Sequence, residues 1–467
     1  IEHRERIAVF GDCDADGMTS CAILSLALRS LDADVVPYIP SREDDGRGLN
    51  AEAVRELADH GTRLLITTDC GTGNAAEVEL ARTLGMEVIV TDHHPPHEEL
   101  PAAVAIVNPQ LATPPGEHSD LAGAGVALRV AEALLARAGV PERTEALLDL
   151  VAIGTIADVV PLTGENWALV RAGLRRLSTA PRPGLRALLD LVGVTPNLLS
   201  ERDISFALAP RLNAAARLGQ PRLALDLLLT DDTQEARRLA DQLDALNLDR
   251  QRQLDALMAD ARGQAQTQLA ANAAAPVLIV EGDGWGLGLI GLIAGRLAEE
   301  YHRPAFAISR GAEECRGSGR GPDGSRLGTM LGERADLFKR FGGHERAAGF
   351  TVARADLPAL LAHLLARGGA ALPSRAEGRS PIAVDCRLGL RHLDRLHYDA
   401  IQTLAPFGPG FAEPVFVCRD VAIIACRASG ADGRTLRLRL SDETTTREVL
   451  WSRRGAWCGP IREALAA

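Results

Sequence analysis

Four short clusters of acidic and histidine residues could do chemistry in this 467-residue chain. They are Asp12, Asp14 and Asp16 in Gly11-Asp12-Cys13-Asp14-Ala15-Asp16-Gly17; Asp69 in Thr67-Thr68-Asp69-Cys70-Gly71; Asp92-His93-His94; and Asp158. Carboxylates gathered within a few ångströms repel one another and raise each other's pKa. A divalent cation removes that conflict. Two cations roughly 3.5–4 Å apart can hold both the attacking and the leaving oxygen of a phosphoryl transfer. Oxygen ligands with one or two imidazoles suit Mn²⁺ or Mg²⁺ better than a sulfur-preferring metal. Taken singly, each cluster has a blander reading: Asp12, Asp14 and Asp16 as a solvated turn, Asp69 as a helix cap, and His93-His94 as surface residues before Pro95-Pro96. The D-x-D-x-D-G run also opens an EF-hand loop. That reading fails, because Thr19–Leu28 continue as an apolar helix and Ile23 stands at the twelfth loop position, where a bidentate Glu is needed.

The elements that must position these groups follow a strand–helix alternation. Apolar runs at Ile7–Phe10, Val35–Ile39, Leu64–Thr68, Val88–Val90 and Val104–Val107 are separated by helical stretches around Ala22–Leu31, Ala51–His60 and Ala75–Leu84. This pattern predicts a parallel sheet covered by helices. Three of the four clusters then fall at carboxyl ends of strands, the edge where open α/β sheets place ligands, on strands about 4.8 Å apart. Leu147–Asp158 reads as a buried helix. A long helix is expected from Thr230 to about Leu269, with Asp232 and Glu235 as a capping box and Leu239, Leu243, Leu246, Leu254, Leu257 and Ala261 as its apolar stripe. Such a helix could bridge two domains. A second α/β unit runs from Val277 to about Leu372, and Arg375–Ser380 reads as a linker. From Pro381, short strand signals at Val415–Val417, Val421–Ala425, Thr435–Leu440 and Arg447–Leu450, with a turn at Gly430–Gly433, fit a small β-barrel such as an OB-fold. The expected division is 1–230, 231–274, 275–374 and 381–467.

The net charge of −11 argues weakly against nucleic acid as a partner, but the charge is unevenly placed. Residues 1–100 hold 8 basic and 20 acidic residues, whereas the remaining 367 are balanced at 43 and 42. The acidity therefore coincides with the candidate cation site, where bound ions would cancel part of it. Lys339 is the one lysine; every other basic residue is arginine, which suits bidentate phosphate contacts and also fits a codon bias. None of the eight cysteines forms a C-x-x-C pair, so a structural zinc site is not expected. Scattered cysteines predict small buried thiols and a reducing cytoplasm. No apolar run reaches the 18 residues of a membrane span. The chain opens on Ile1 rather than Met and is expected to be trimmed or processed; its first 30 residues lack a signal-peptide layout. Gly286-Leu287-Gly288-Leu289-Ile290-Gly291 fits G-x-G-x-x-G, yet the next strand, Ala305–Ile308, ends in Ser309 and Arg310 instead of the acidic residue a dinucleotide site requires. Tight packing or approach to a phosphate is the expected use of these glycines.

In order, D-x-D-x-D-G, T-T-D-C-G, T-D-H-H-P and Gly154-Thr155-Ile156-Ala157-Asp158-Val159-Val160-Pro161-Leu162 resemble the signature of the DHH phosphoesterases. The last of these and Pro210-Arg211-Leu212-Asn213-Ala214-Ala215-Ala216-Arg217-Leu218 are similar to the RecJ branch. Gly342-Gly343-His344-Glu345-Arg346-Ala347-Ala348-Gly349-Phe350 resembles the family's associated second domain. Pro406-Phe407-Gly408-Pro409-Gly410, with Glu413-Pro414-Val415-Phe416, resembles its OB-fold region. The resemblance covers nearly the whole chain. It departs at Cys13, Phe10, Gly286 and Gly321, where relatives often carry other residues.

The resemblance implies a parallel-sheet DHH domain, a long connecting helix, a DHH-associated α/β domain and a C-terminal OB-fold β-barrel. It implies metal-site roles for Asp12, Asp14, Asp16, Asp69, His93 and Asp158. Asp69 would bridge two divalent cations, Mn²⁺ ahead of Mg²⁺, and His94 would contact the scissile phosphate. Arg42 and Arg217, with Ser318 and Arg320 of Gly317-Ser318-Gly319-Arg320, would form a 5′-phosphate pocket in which glycines bring backbone N–H groups to the anion; His344 would reach the phosphate from the second domain. The implied activity is 5′→3′ hydrolysis of single-stranded DNA to 5′-mononucleotides in repair and recombination. The implied setting is a monomer in the bacterial cytoplasm, at the nucleoid, with single-strand binding protein and a RecQ-type helicase as partners. A phosphodiesterase for short oligonucleotides or cyclic dinucleotides, and a non-catalytic replication scaffold, are the alternatives. The C-terminal β region opposes the first and the intact acidic residues oppose the second.

Overall fold

A computed structural model describes residues 1–41, 48–96, 99–112, 116, 119–367, 382–430 and 433–466. The chain divides into two units, Ile1–Glu377 and Gly378–Ala467.

The first unit begins with a five-stranded parallel sheet: β1 (Ile7–Gly11), β2 (Val35–Tyr38), β3 (Leu64–Thr68), β4 (Glu87–Thr91) and β5 (Ala105–Val107), in the order β2-β1-β3-β4-β5. The helices between them are α1 (Ala15–Arg29), α2 (Ala51–Asp59) and α3 (Ala75–Thr83). Successive side chains of a strand face opposite ways. On β1, Ile7 and Val9 join the core containing α1, while Ala8 and Phe10 join the one beneath α2 and α3. Strand order reverses between β1 and β3. That switch point opens the crevice in which such sheets bind ligands, and Asp12 and Asp69 directly follow the two strands that flank it.

An all-helical layer completes this lobe: α4 (Gly123–Arg137), α5 (Leu148–Asp158), α6 (Gly164–Thr179), α7 (Pro183–Val192), the single turn α8 (Glu201–Asp203), α9 (Ala209–Arg217) and α10 (Pro221–Leu229). The long helix α11 spans Thr233–Ala271. Asp232 caps it by accepting hydrogen bonds from the backbone N–H groups of Gln234 and Glu235. The expected capping box is only half made. Glu235 pairs with Arg238, and the Asp232 N–H goes instead to Thr230 Oγ1. Leu239 and Leu243 of α11 are buried in the first core, and Leu254 and Ala261 in a second, so one helix belongs to both.

The second lobe holds β6 (Leu278–Asp283), α12 (Leu287–Tyr301), β7 (Ala305–Arg310), β8 (Glu314–Arg320), α13 (Leu327–Gly332), β9 (Phe338–Gly343), β10 (Ala347–Ala353) and α14 (Leu357–Arg367). Its sheet runs β6-β7-β8-β10-β9, parallel at the first pair and antiparallel after it. The edge strand β6 is covered by side chains of α11. Gln264 Oε1 accepts from Glu281 N and its amide donates to Glu281 O, both at 2.9 Å. Gln268, one turn later, does the same to Ile279 N and Val277 O. Two carboxamides thus replace a neighbouring strand and blunt an edge open to pairing with another chain.

The second unit contains β11 (Cys386–Arg387), α15 (Arg395–Gln402), β12 (Phe416–Val417), β13 (Ala422–Ser429), β14 (Thr435–Ser441), β15 (Thr446–Trp451) and α16 (Cys458–Ala466). The last three strands form an antiparallel meander, and β11 pairs with β12. The expected linker at 375–380 lies outside the described residues. All eight cysteines are free, and five of them are buried. No helix among the described residues is long and apolar enough to cross a membrane.

The glutamine cover predicts a stability effect. Gln264→Ala leaves the Glu281 N–H and C=O without partners and should lower unfolding free energy by about 1–2 kcal/mol. Urea denaturation measures it; an unchanged midpoint would show that the cover contributes nothing.

A candidate metal centre at the sheet rim

The seven of the eight cluster residues that were given site roles converge. His93 Nε2 lies 3.0 Å from Asp69 Oδ1, 3.6 Å from Asp158 Oδ2 and 3.9 Å from Asp16 Oδ2. Three overlapping groups each bring ligand atoms within 4.8 Å of one another: Asp12, Asp14 and Asp69; Asp16, His93 and Asp158; and Asp69, His93 and His94. Asp69 belongs to two of them, the arrangement expected of a carboxylate shared by two ions.

Local structure holds each group in place. Asp14 is the N-cap of α1, accepting from the N–H groups of Asp16 and Gly17. Asp12 accepts from Gly48 N. Both Asp16 oxygens are held by the start of α4, at 2.7 Å from Gly123 N and 2.9 Å from Ala124 N. A helix N-terminus favours a negative group there. Asp69 has φ of 60°, a left-handed conformation uncommon for a non-glycine residue. Such outliers cluster at functional sites. Here the backbone turns sharply as it leaves β3. Gly123 is required beside it, since a Cβ on that residue would lie 2.7 Å from Asp69 Cβ.

Burial and mutual charge set the protonation of the site. Burial, then Asp158 and Asp14, push the Asp16 carboxyl well above its usual range, even against its two backbone hydrogen bonds. Burial, then Asp16, Asp14 and Asp12, raise Asp69 likewise. The adjacent imidazoles move in opposite directions. Burial and the neighbouring His94 lower His93 to about 4, leaving it neutral at pH 7 with no proton to displace by a cation. A hydrogen bond to Asp92 raises His94 to about 9.

The residues fit a divalent-cation centre on an observation independent of motifs. Asp69 Oδ1 and His93 Nε2 are buried and neither has a hydrogen-bond partner, though they face each other at 3.0 Å. Two adjacent ligands of one octahedral ion with bonds of about 2.1 Å would stand about 3 Å apart.

Sequence reasoning gave no role to three contributors. Asp92 Oδ1 accepts from His94 Nδ1 at 2.8 Å and Oδ2 from Thr72 N at 2.9 Å, which orients the His94 ring. Asn108 donates to Thr72 Oγ1 and to His94 O, tying the loops after β3 and β4 together. Asn213 Oδ1 accepts from Ala15 N, between Asp14 and Asp16. Asp92 was visible beside the histidines and Asn213 inside the Pro210–Leu218 motif; Asn108 carried no signal.

The predicted phosphate-binding residues lie elsewhere. Arg42 falls outside the described residues. Ser318 and Arg320 are on β8, a strand paired on both sides, so its backbone N–H groups serve the sheet rather than an anion, contrary to the expected glycine-rich phosphate loop. Its glycines instead make room for aromatic rings, since a Cβ at Gly317 or Gly319 would strike Phe350 or Phe306. The two polar side chains are joined, Arg320 Nη1 to Ser318 Oγ at 3.0 Å. Arg217, at the end of α9, donates to Gly288 O. His344 is exposed in the β9–β10 turn and lines a cavity of about 650 Å³ with Arg326 and Thr329.

Two outcomes follow for this rim. In chelator-treated protein, histidine NMR should place His93 near about 4 and His94 near about 9, and Asp92→Asn should bring His94 back toward 6.5. The linkage has opposite signs. Stability falls from pH 6.5 down to about 4, because the unfolded chain protonates His93 first; the His94 contribution is full below 6.5 and is lost as pH rises through about 9. Gly123→Ala should weaken Mn²⁺ binding on the order of tenfold with an unchanged far-UV spectrum; calorimetric titration giving wild-type affinity would show that this cradle is unimportant.

Comparison with known proteins agrees module by module. Residues 6–155 match the DHH family, N-terminal domain, 274–367 the DHHA1 domain, and 384–463 the RecJ OB domain. The single-stranded-DNA-specific exonuclease RecJ of Dickeya dadantii is 38% identical over 436 residues, covering 89% of this chain and 75% of that protein. Its Bacillus subtilis counterpart is 35% identical over 97% of this chain, which spans 57% of that relative's length. The crystal structure of RecJ from Thermus thermophilus in complex with Mn²⁺ superposes with a TM-score of 0.80 at 36% identity, covering 97% of this chain and 64% of that one. A DHH-motif rim, the order of its three modules and this depth of similarity together show that the chain belongs to the RecJ family of DHH proteins.

Proposed function

We propose that this chain is a 5′→3′ exonuclease that hydrolyses single-stranded DNA to 5′-mononucleotides, in repair and recombination. The observation that carries the reading is the unpartnered, buried Asp69–His93 pair at the centre of the acidic rim. Its relatives' designation as single-stranded-DNA-specific exonucleases supports the substrate.

Asp12, Asp14 and Asp69 would hold one divalent cation, and Asp69, His93, Asp16 and Asp158 a second. The mixed oxygen and imidazole set favours Mn²⁺ over Mg²⁺. Bound there, such ions supply Lewis-acid polarisation of the phosphate and acidify water at the site. The chain's own residues do the rest. His94, its ring held by Asp92, contacts the scissile phosphate. Ser318, Arg320 and Arg217 offer donors to a 5′ phosphate, with Arg42 and His344 as further contacts. Arginine's planar fork suits that task. The division at 1–230, 231–274, 275–374 and 381–467 assigns catalysis to the first segment, bridging to the helix, phosphate capture to the third and strand guidance to the OB module, through charge and stacking. The working context is a monomer in the cytoplasm at the nucleoid, with single-strand binding protein and a RecQ-type helicase nearby.

End-labelled DNA tests this reading. Single strands should be lost from the 5′ end in Mn²⁺, duplexes spared, and EDTA should abolish the reaction. Asp69→Asn should cut the rate on the order of a thousandfold. Degradation from the 3′ end, or activity that survives chelation, would refute the assignment.

A further inference from the structure

The helix α9 touches both halves of the proposed machinery. Near its middle, Asn213 Oδ1 accepts from Ala15 N at 2.9 Å, the residue between the metal-site carboxylates Asp14 and Asp16. One turn later, Arg217 Nη1 donates to Gly288 O at 2.7 Å, in the first turn of α12. This second junction is unusually close. A Cβ on Gly288 would lie 2.3 Å from Arg217 O and 2.8 Å from Arg217 Cα. Three residues further along α12, on the neighbouring turn, a Cβ on Gly291 would stand 3.3 Å from both Ser318 Oγ and Arg320 Nη2. The helix itself is anchored. Leu212, Ala214, Ala215 and Ala216 are buried, and Arg211 pairs with Asp244 of α11 at 2.7 Å.

From this geometry we infer that α9 is a strut fixing the distance between the rim and the Ser318–Arg320 donors, with Asn213 and Gly288 as its positioning residues. The inference rests on the proposed function, in which those donors hold the 5′ phosphate. With the phosphate anchored at one end and the rim fixed at the other, the phosphodiester that reaches the rim is set by the span between them. In this role neither residue needs to touch substrate. Both junctions are short contacts without slack, a carboxamide on one N–H and a glycine against backbone, so they transmit position. A rigid separation matters because a misplacement of about 1 Å at the reacting centre can lower a rate on the order of a hundredfold.

Gly288→Ala is the direct test. Its methyl group needs roughly 1 Å of extra separation to reach an ordinary contact distance. Two substrates are compared: a 5′-phosphorylated 20-mer, and thymidine 5′-p-nitrophenyl phosphate, which is too small to span both ends. For the variant we expect kcat on the 20-mer to fall on the order of a hundredfold with KM unchanged, and hydrolysis of the small ester at the wild-type rate. Asn213→Asp keeps the acceptor for Ala15 N and should keep the 20-mer rate within a fewfold, whereas Asn213→Leu should lose it. Equal losses on both substrates for Gly288→Ala, or none on either, would overturn the strut. Wild-type protein that degrades 5′-hydroxyl and 5′-phosphoryl strands alike would remove the anchored phosphate, and the strut with it. A 5′-phosphate preference and a 20-mer kcat both kept in Gly288→Ala would overturn the strut alone.

Discussion

Asp69 and Asp16 are buried within reach of other carboxylates, and both burial and repulsion favour their protonated forms. A rim of this kind is held together against its own charge. The opposing forces come from the surrounding fold: the N-terminus of α4 beneath Asp16, the N–H of Gly48 at Asp12, and the left-handed turn that brings Asp69 inward. What remains uncompensated is Asp69 Oδ1 facing His93 Nε2 at 3.0 Å, both buried and neither with a hydrogen-bond partner. The sheet, the helical layer and the bridging helix can all be understood as a frame that keeps these groups at a spacing which a divalent cation would relieve.

The two adjacent histidines show how environment divides labour between chemically identical side chains. His93 points into the buried cluster and stays neutral, the form that can ligate a metal. His94 is half-exposed, and Asp92 holds its ring nitrogen and its charge. Asp92 is itself kept low, to about 2, because the hydrogen bond and charge of His94 outweigh the cost of its burial. One carboxylate therefore makes its neighbour cationic and is made anionic in return. Asn108 and Thr72 fix the loops on which this pair sits.

The bridging helix α11 explains how two separate cores act as one body. Its first half is buried in the catalytic lobe, and its second half packs on the other lobe and covers the edge of that lobe's sheet with Gln264 and Gln268. Helix α9 makes a second, shorter link at the functional end.

Periodicity and spacing alone determined much of this. Alternating faces on β1 and the apolar stripe of α11 are local patterns, and motif residues at strand ends had to meet at one rim because parallel strands share a direction. The glycines of β8 show the limit. Gly317-Ser318-Gly319-Arg320 reads as a loop that cradles an anion, but the rings of Phe306 and Phe350, on the two strands that pair with it, lie against those glycines and the segment is a strand. Likewise Gly123 meets Asp16 across 107 positions, and Asn213 meets Ala15 across 198. Sequence sets which groups can ionise, ligate or donate, because that is a property of each side chain. Tertiary structure alone decided which of them lose water, face one another and change their proton affinity, because burial and proximity are created by packing between segments that no local pattern connects.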